Sequence, residues 1–272
     1  EVFKLVFGKE AGEKIDIDNY DRVIANAVQT VVKKQTEVGV DVVSDGEQSK
    51  ISYATYIKHR LNGFDGDSPR RTPKDLEEYP AFSKRASSSG GVPTYSRPQC
   101  VGPISVKDLK PLEVDLQNFK DALSVSEATD AFMNAASPGV IAQFQPNQHY
   151  PDHSSYLYAL ADAMKVEYEG IAEAGLVIQI DSPDLALGRH VLFKDQSDEE
   201  FVAMAELHIE ALNHALQNIP AEQLRLHVCW GNYQGPHHCD IEMKKILPAV
   251  LKAKPMALSF EGANPRHSHE WS

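Results

Sequence analysis

The chain has 272 residues, 42% of them hydrophobic, with 27 Lys and Arg against 39 Asp and Glu for a formal net charge of -12. That length and apolar content suit one large α/β barrel or two ordinary domains and exclude a disordered or fibrous chain. The acidic balance, without a basic run, argues against nucleic acid or an anionic membrane surface as partner, and no apolar run approaches the roughly 20 residues that span a bilayer.

In chain order, Glu1 to Lys14 offers no cap or periodicity. From Asn19, Val23, Ala27, Val28, Val31 and Val32 recur at helical spacing to about Val38, and Gly39 stands where a helix-ending glycine belongs. The strand Val40–Ser44 follows and ends in Asp45-Gly46-Glu47. Residues 63–105 form an irregular excursion. Pro69, Pro73, Pro80, Pro93 and Pro98 fall among charges, Ser87-Ser88-Ser89-Gly90-Gly91 reads as a flexible run, and a hairpin is expected to end in Cys100–Ile104.

A helical pattern between Leu116 and Met133 precedes Ser137-Pro138 and a strand at Gly139–Phe144. Helix near Tyr156–Glu173 then leads to the strand Leu176–Asp181, and helix near Asp198–Leu216 to the strand that begins at Leu224. Helix near Ile241–Leu251 leads to the strand Met256–Glu261. The strands are short, apolar throughout and polar only at their C-terminal ends. That is the pattern of a parallel sheet covered by helices with its functional groups on the C-terminal rim, here in one α/β domain over 1–272. Neither a Rossmann glycine fingerprint nor a P-loop is present.

Four strand ends carry chemistry: Asp45-Gly46-Glu47, Asp181-Ser182-Pro183, His227-Val228-Cys229 and Phe260-Glu261-Gly262. Residues i and i+2 of a strand share a face, so His227 and Cys229 can converge, and imidazole with thiolate is a zinc donor pair. A satisfied core histidine beside a buried cysteine is the rival reading. Glu261 is a third candidate ligand, against a salt-bridged carboxylate. Asp181 and Glu47 are either site carboxylates or caps of the helices that follow. The polar tail Asn264–Trp271, with His267 and His269, reads as a solvated loop. His237, His238 and Cys239 suggest a second metal site, which ranks below His227 and Cys229 because no strand fixes it. The three cysteines, Cys100, Cys229 and Cys239, are too few for a disulfide framework, which points to reduced thiols and, with no signal-peptide pattern, to the cytoplasm.

Taken together, Val42–Glu47, Val177–Pro183, His227–Tyr233 and Ser259–His267 resemble the catalytic barrel of cobalamin-independent methionine synthase, most closely its shorter, methionine synthase II type relatives. The resemblance implies a (β/α)8 TIM barrel of the kind shared with uroporphyrinogen decarboxylase, incomplete here because its first and last strands are missing. It implies a zinc-dependent methyltransferase that makes methionine from homocysteine with a methyl donor such as methyl folate. By position, His227, Cys229 and Glu261 resemble metal ligands, while Glu47 and Asp181 resemble the carboxylates that hold the substrate amino group. The family's second zinc cysteine does not follow Glu261, so the chain reads as a fragment with that ligand expected beyond Ser272. Alkyl transfer to another thiol such as coenzyme M, a metal-free decarboxylase and a non-catalytic relative are the alternatives, and homo-oligomerisation stays open.

Overall fold

The computed structural model describes residues 1–89 and 96–270. It opens with α1 (Val2–Glu10), in the segment where the sequence shows no element; that helix lacks a side-chain cap and turns only Val6 and Gly8 inward, so it leaves little signal. In α2 (Ile17–Glu37) the Asp16 carboxylate accepts from the Asn19 N–H as N-cap, and Val23, Ile24, Val28 and Val32 are buried. Gly39 follows in the left-handed region at φ +86, and its N–H returns to the Thr36 carbonyl.

After β1 (Val42–Val43) the excursion is more ordered than its composition suggests. An antiparallel pair, β2 (Leu61–Asp65) and β3 (Gln99–Val106), brackets α3 (Lys74–Glu77) and α4 (Pro80–Ser89). Ser87, Ser88 and Ser89, read as flexible, therefore lie in a helix; Gly90, Gly91 and Pro93 fall outside the described residues.

The rest alternates: α5 (Lys110–Ser124), β4 (Asp130–Ala136), α6 (Pro138–Phe144), α7 (His153–Glu173), β5 (Val177–Asp181), α8 (Gly188–Val191), α9 (Asp198–Ala215), β6 (Leu224–Val228), α10 (Met243–Val250) and β7 (Ala257–Phe260). One expectation fails here. Gly139–Phe144 is helix, not strand, and the strand is Asp130–Ala136, at the end of the supposed helical pattern. The reason is local: Ser137 Oγ accepts from the Val140 N–H and Pro138 occupies the first turn, a start signal that turns the apolar run into a buried helix.

Among the described residues β1, β4, β5, β6 and β7 form one parallel sheet in the order β1-β4-β5-β6-β7, with β1 and β7 at its edges. The fold is α/β, an open parallel sheet rather than a closed eight-stranded barrel. Leu157, Leu160, Met164, Tyr168 and Ile171 of α7 pack into the same apolar core as Phe201, Ile209 and Leu212 of α9. Behind β4, the Arg60 guanidinium is buried between Asp115 and Glu167, and Tyr56 donates to Glu167.

Candidate functional site

Register brings the polar strand ends side by side. Asp181 of β5 pairs with His227 of β6, and His227 with Ser259 of β7. Neighbours in a parallel ladder share a face, and so do residues two apart in the chain. Cys229 and Glu261, each two residues beyond that row, therefore meet one layer further out. The Cys229 Sγ lies 4.0 Å from Glu261 Oε2.

His227 is half-buried, with Nδ1 2.9 Å from Asp181 Oδ1. Burial on its own would lower the imidazole pKa; hydrogen bonding to Asp181, with a further contribution from Cys229, overrides it and pushes the value up to about 10. Asp181 responds in the opposite sense. Burial would raise its pKa, but hydrogen bonds from His227, Asn134 and Gln179 hold it below the usual carboxylate range. Asn134 Nδ2 donates to Oδ2 at 2.9 Å and Gln179 Nε2 to Oδ1 at 3.0 Å.

Gly231 ends the strand segment at φ +95, and a Cβ there would stand 2.9 Å from Leu187 Cδ1. Its N–H donates to Cys229 Sγ at 3.2 Å, which fixes the sulfur. On the far side Asn264 Nδ2 donates to Glu261 Oε1 at 2.9 Å, and His267 Nδ1 stands 3.6 Å from Oε2.

Glu47 is one of the non-glycine residues with positive φ, +53, a conformation that surrounding structure must impose. Its Oε1 is buried without a hydrogen-bond partner, and Lys50 Nζ is 3.6 Å away. Burial, then the charges of Asp181 and Asp45, raise its pKa against the pull of Lys50. Lys50 itself is tied by donation to the Asn134 carbonyl at 2.7 Å and lies over the Tyr56 ring. Glu47 and Asp181 thus share one electrostatic neighbourhood.

All five residues singled out in the sequence stand on this rim. Sequence reasoning missed Asn134, because the strand was expected at Gly139–Phe144 and the one that carries it is Asp130–Ala136. Gln179 was legible only as the i-2 neighbour of Asp181.

The tail reading needs correction: His267 is buried and stacked on Trp230, with ring centroids 4.4 Å apart, while His269 is exposed and pairs with Glu270 at 3.3 Å. Trp271 lies outside the described residues. His237, His238 and Cys239 do not form one site. His237 turns inward toward Asp240 and His267, and His238 and Cys239 face outward with Glu78. Those are the two compact ligand groups among the described residues; His227, Cys229 and Glu261 are more loosely spaced than either.

No protein-family model matches the chain. By sequence it is similar to a protein named methionine synthase from Saccharolobus solfataricus, 27% identical over 250 residues that cover 90% of this chain and 65% of the relative. A methionine synthase from Sulfurisphaera tokodaii is 28% identical over 221 residues, 81% of this chain and 55% of the relative. The chain thus spans about two thirds or less of the length of these relatives. Among solved structures, a B12-independent methionine synthase from Shewanella sp. W3-18-1, in complex with selenomethionine, superposes with a TM-score of 0.69 at 19% identity, covering 93% of this chain and 67% of that one. A putative vitamin-B12 independent methionine synthase from Listeria monocytogenes gives 0.57 at 20% identity over 85% and 62%. The resemblance carried by the four strand-end motifs therefore holds: the chain's curated relatives bear the name methionine synthase. Among the described residues no helix is long and apolar enough to cross a membrane.

Proposed function

We propose that this chain, a relative of the cobalamin-independent methionine synthases, carries the thiol-activating half of a methyl transfer to homocysteine on the C-terminal rim of its five-stranded parallel sheet. The observation that carries the reading is the meeting of Cys229 with Glu261 at 4.0 Å on one side and with His227, held by Asp181 at 2.9 Å, on the other.

Imidazole, thiolate and carboxylate on adjacent rigid strand ends form a zinc donor set. The residues fit the ion in one further respect. With Nδ1 of His227 committed to Asp181, Nε2 is left as the donor, the carboxylate–histidine arrangement common behind zinc ligands. Bound there, zinc would let a substrate thiol, ordinarily about 8.5 in pKa, react as thiolate at neutral pH. His227, Cys229 and Glu261 would hold the ion.

The substrate's ammonium falls to Asp181 and Glu47. Asp181 Oδ1 already accepts from His227 and Gln179, and Oδ2 from Asn134, which leaves one lone pair on Oδ2. Glu47 Oε1, buried and without a hydrogen-bond partner, with Lys50 Nζ 3.6 Å away, is the second acceptor. Two carboxylates for one ammonium favour an amino-acid thiol over a thiol without an amino group. Clefts of about 230 and 200 Å³, both lined by Arg97, Phe144, Leu187 and Tyr233, adjoin the loop that follows Cys229 and give room for a methyl donor.

The test is zinc content together with methionine formation from homocysteine and methyl folate. Cys229→Ser is expected to abolish product and to remove the sulfur ligand while leaving the far-UV circular dichroism unchanged. Unaltered turnover in that variant would overturn the reading.

A further inference from the structure

In the segments that follow β5, β6 and β7, three buried imidazoles surround one buried carboxylate. Asp240 Oδ2 is 2.9 Å from His237 Nδ1 and 2.7 Å from His267 Nε2, and Asp240 Oδ1 is 3.4 Å from His190 Nδ1. The four side chains are at most 8% exposed. Aromatic contacts hold the rings: His267 lies on Trp230, and His237 on Tyr233 with centroids 4.3 Å apart.

Counting hydrogens shows what the cluster lacks. Tyr233 has one hydroxyl hydrogen, and Asp75 Oδ2, which also accepts the His237 N–H, takes it at 2.7 Å. His190 Nε2, 3.1 Å from the same hydroxyl, must therefore be the donor to it. A neutral His190 then has no hydrogen on Nδ1, which faces Asp240 Oδ1 with neither atom partnered. The same conflict recurs at His267: if Nε2 donates to Asp240, a neutral ring leaves Nδ1 bare toward Glu261 Oε2, and Nδ1 too is unpartnered.

We propose that His190 Nδ1, His237 Nδ1, His267 Nε2 and Asp240 bind a divalent cation of the zinc class, a closed structural site separate from His227, Cys229 and Glu261. The outward-facing nitrogens then face oxygen atoms. His190 Nε2 donates to the Tyr233 hydroxyl and His237 Nε2 to the Tyr233 carbonyl at 3.1 Å, while His267 Nδ1 faces Glu261 Oε2 at 3.6 Å. Ligating histidines characteristically give their second N–H to such oxygen acceptors. Tetrahedral donors at zinc distances of about 2.0–2.2 Å lie about 3.3 Å apart, so the two shortest contacts need to open by about half an ångström. The orphaned atoms, rather than the mere proximity of the ligands, distinguish this group from the exposed one at Glu78, His238 and Cys239. The proposal does not depend on the thiol chemistry above.

The test is a metal titration of the chelator-stripped full chain with Zn²⁺ and Co²⁺. Bound metal is counted by mass spectrometry after gel filtration. Cys229→Ser is expected to retain one equivalent, and its cobalt form to show tetrahedral d–d bands without a thiolate-to-cobalt charge-transfer band. Adding His237→Gln should remove that equivalent, whereas adding His238→Gln should not. As a check independent of the cluster variants, Zn²⁺ should raise the Tm of Cys229→Ser by several degrees. One equivalent in the native chain and none in Cys229→Ser would overturn the second site while sparing the thiol reading. One equivalent in both, lost with His237→Gln, would support the second site and count against the thiol reading. Metal lost with His238→Gln, or a Zn²⁺-insensitive Tm, would also overturn it.

Discussion

Asp181 Oδ1 sits 2.9 Å from Nδ1 of His227, across two strands whose register makes these residues direct neighbours. The contact fixes which imidazole nitrogen is left for a metal, and it makes the ring more basic. Asp181→Asn keeps the shape but removes the charge that orients the ring. Zinc affinity is expected to fall about 10- to 100-fold, the usual consequence of losing such a partner. Competition against a chromogenic chelator measures it. An affinity equal to the parent's would mean that Asp181 serves the substrate alone.

Glu47 is predicted to act on substrate binding rather than turnover. Its Oε1 has no hydrogen-bond partner, and its backbone is held at φ +53. A hydrogen bond to a charged group contributes about 1.5–3 kcal/mol, so Glu47→Gln should raise KM for an amino-acid thiol about 10- to 100-fold with kcat little changed. A thiol that lacks the amino group should show no such rise. If both thiols suffer equally, the residue supports the loop and not the ammonium.

The sequence made the rim legible because three of its strands, Val177–Asp181, Leu224–Val228 and Ala257–Phe260, are short, largely apolar runs with polar residues at or just past their C-terminal ends. In α9, Ser197 and Glu200 form a capping box, so that helix start was readable too. The misplaced strand has an equally physical cause. Asp130–Ala136 contains Ala131, Ala135 and Ala136 where β-branched residues would mark a strand, and Gly139–Phe144 supplies the apolar run that such a residue would suggest. The buried tail was illegible because His267 owes its burial to Trp230 and Asp240, contacts of long sequence separation that no local pattern encodes.

Acid sensitivity should arise in part at His153. Its Nε2 is 2.8 Å from Nε2 of His208, whose Nδ1 is 2.8 Å from Asp184 Oδ2. Burial, and then the neighbouring His208, push the His153 pKa down from 6.5 to about 4. The unfolded chain therefore binds a proton that the folded one refuses between those values, and stability falls as pH drops from about 6.5 toward about 4. In His153→Gln the urea midpoint should depend less on pH across that window than in the parent. Superimposable pH profiles would exclude the histidine pair as a source of acid sensitivity.

Gly139 tests the packing behind the site. It lies in α6, where an added Cβ would stand 2.0 Å from Asp184 Oδ2 and 2.5 Å from His208 Nδ1. Neither group can retreat easily. Ser137 Oγ donates to Asp184 Oδ1 at 2.8 Å, His208 holds the other oxygen, and all three side chains are buried. Gly139→Ala gains helix propensity of about 1 kcal/mol but must break this arrangement, and overpacking of about 1–3 kcal/mol together with a lost buried hydrogen bond outweighs the gain. Gly170, within α7, provides the contrast. A Cβ there meets only Leu112 Cδ2 at 3.3 Å, the end of a side chain that can turn aside. Gly170→Ala is therefore expected to leave stability unchanged or raised by up to about 1 kcal/mol, and Gly139→Ala to lower it by about 2 kcal/mol or more, in the same urea titration. Equal stability of the two variants would show that Asp184 is free to move, and that the Ser137–Asp184–His208 chain does not brace the loop after β5.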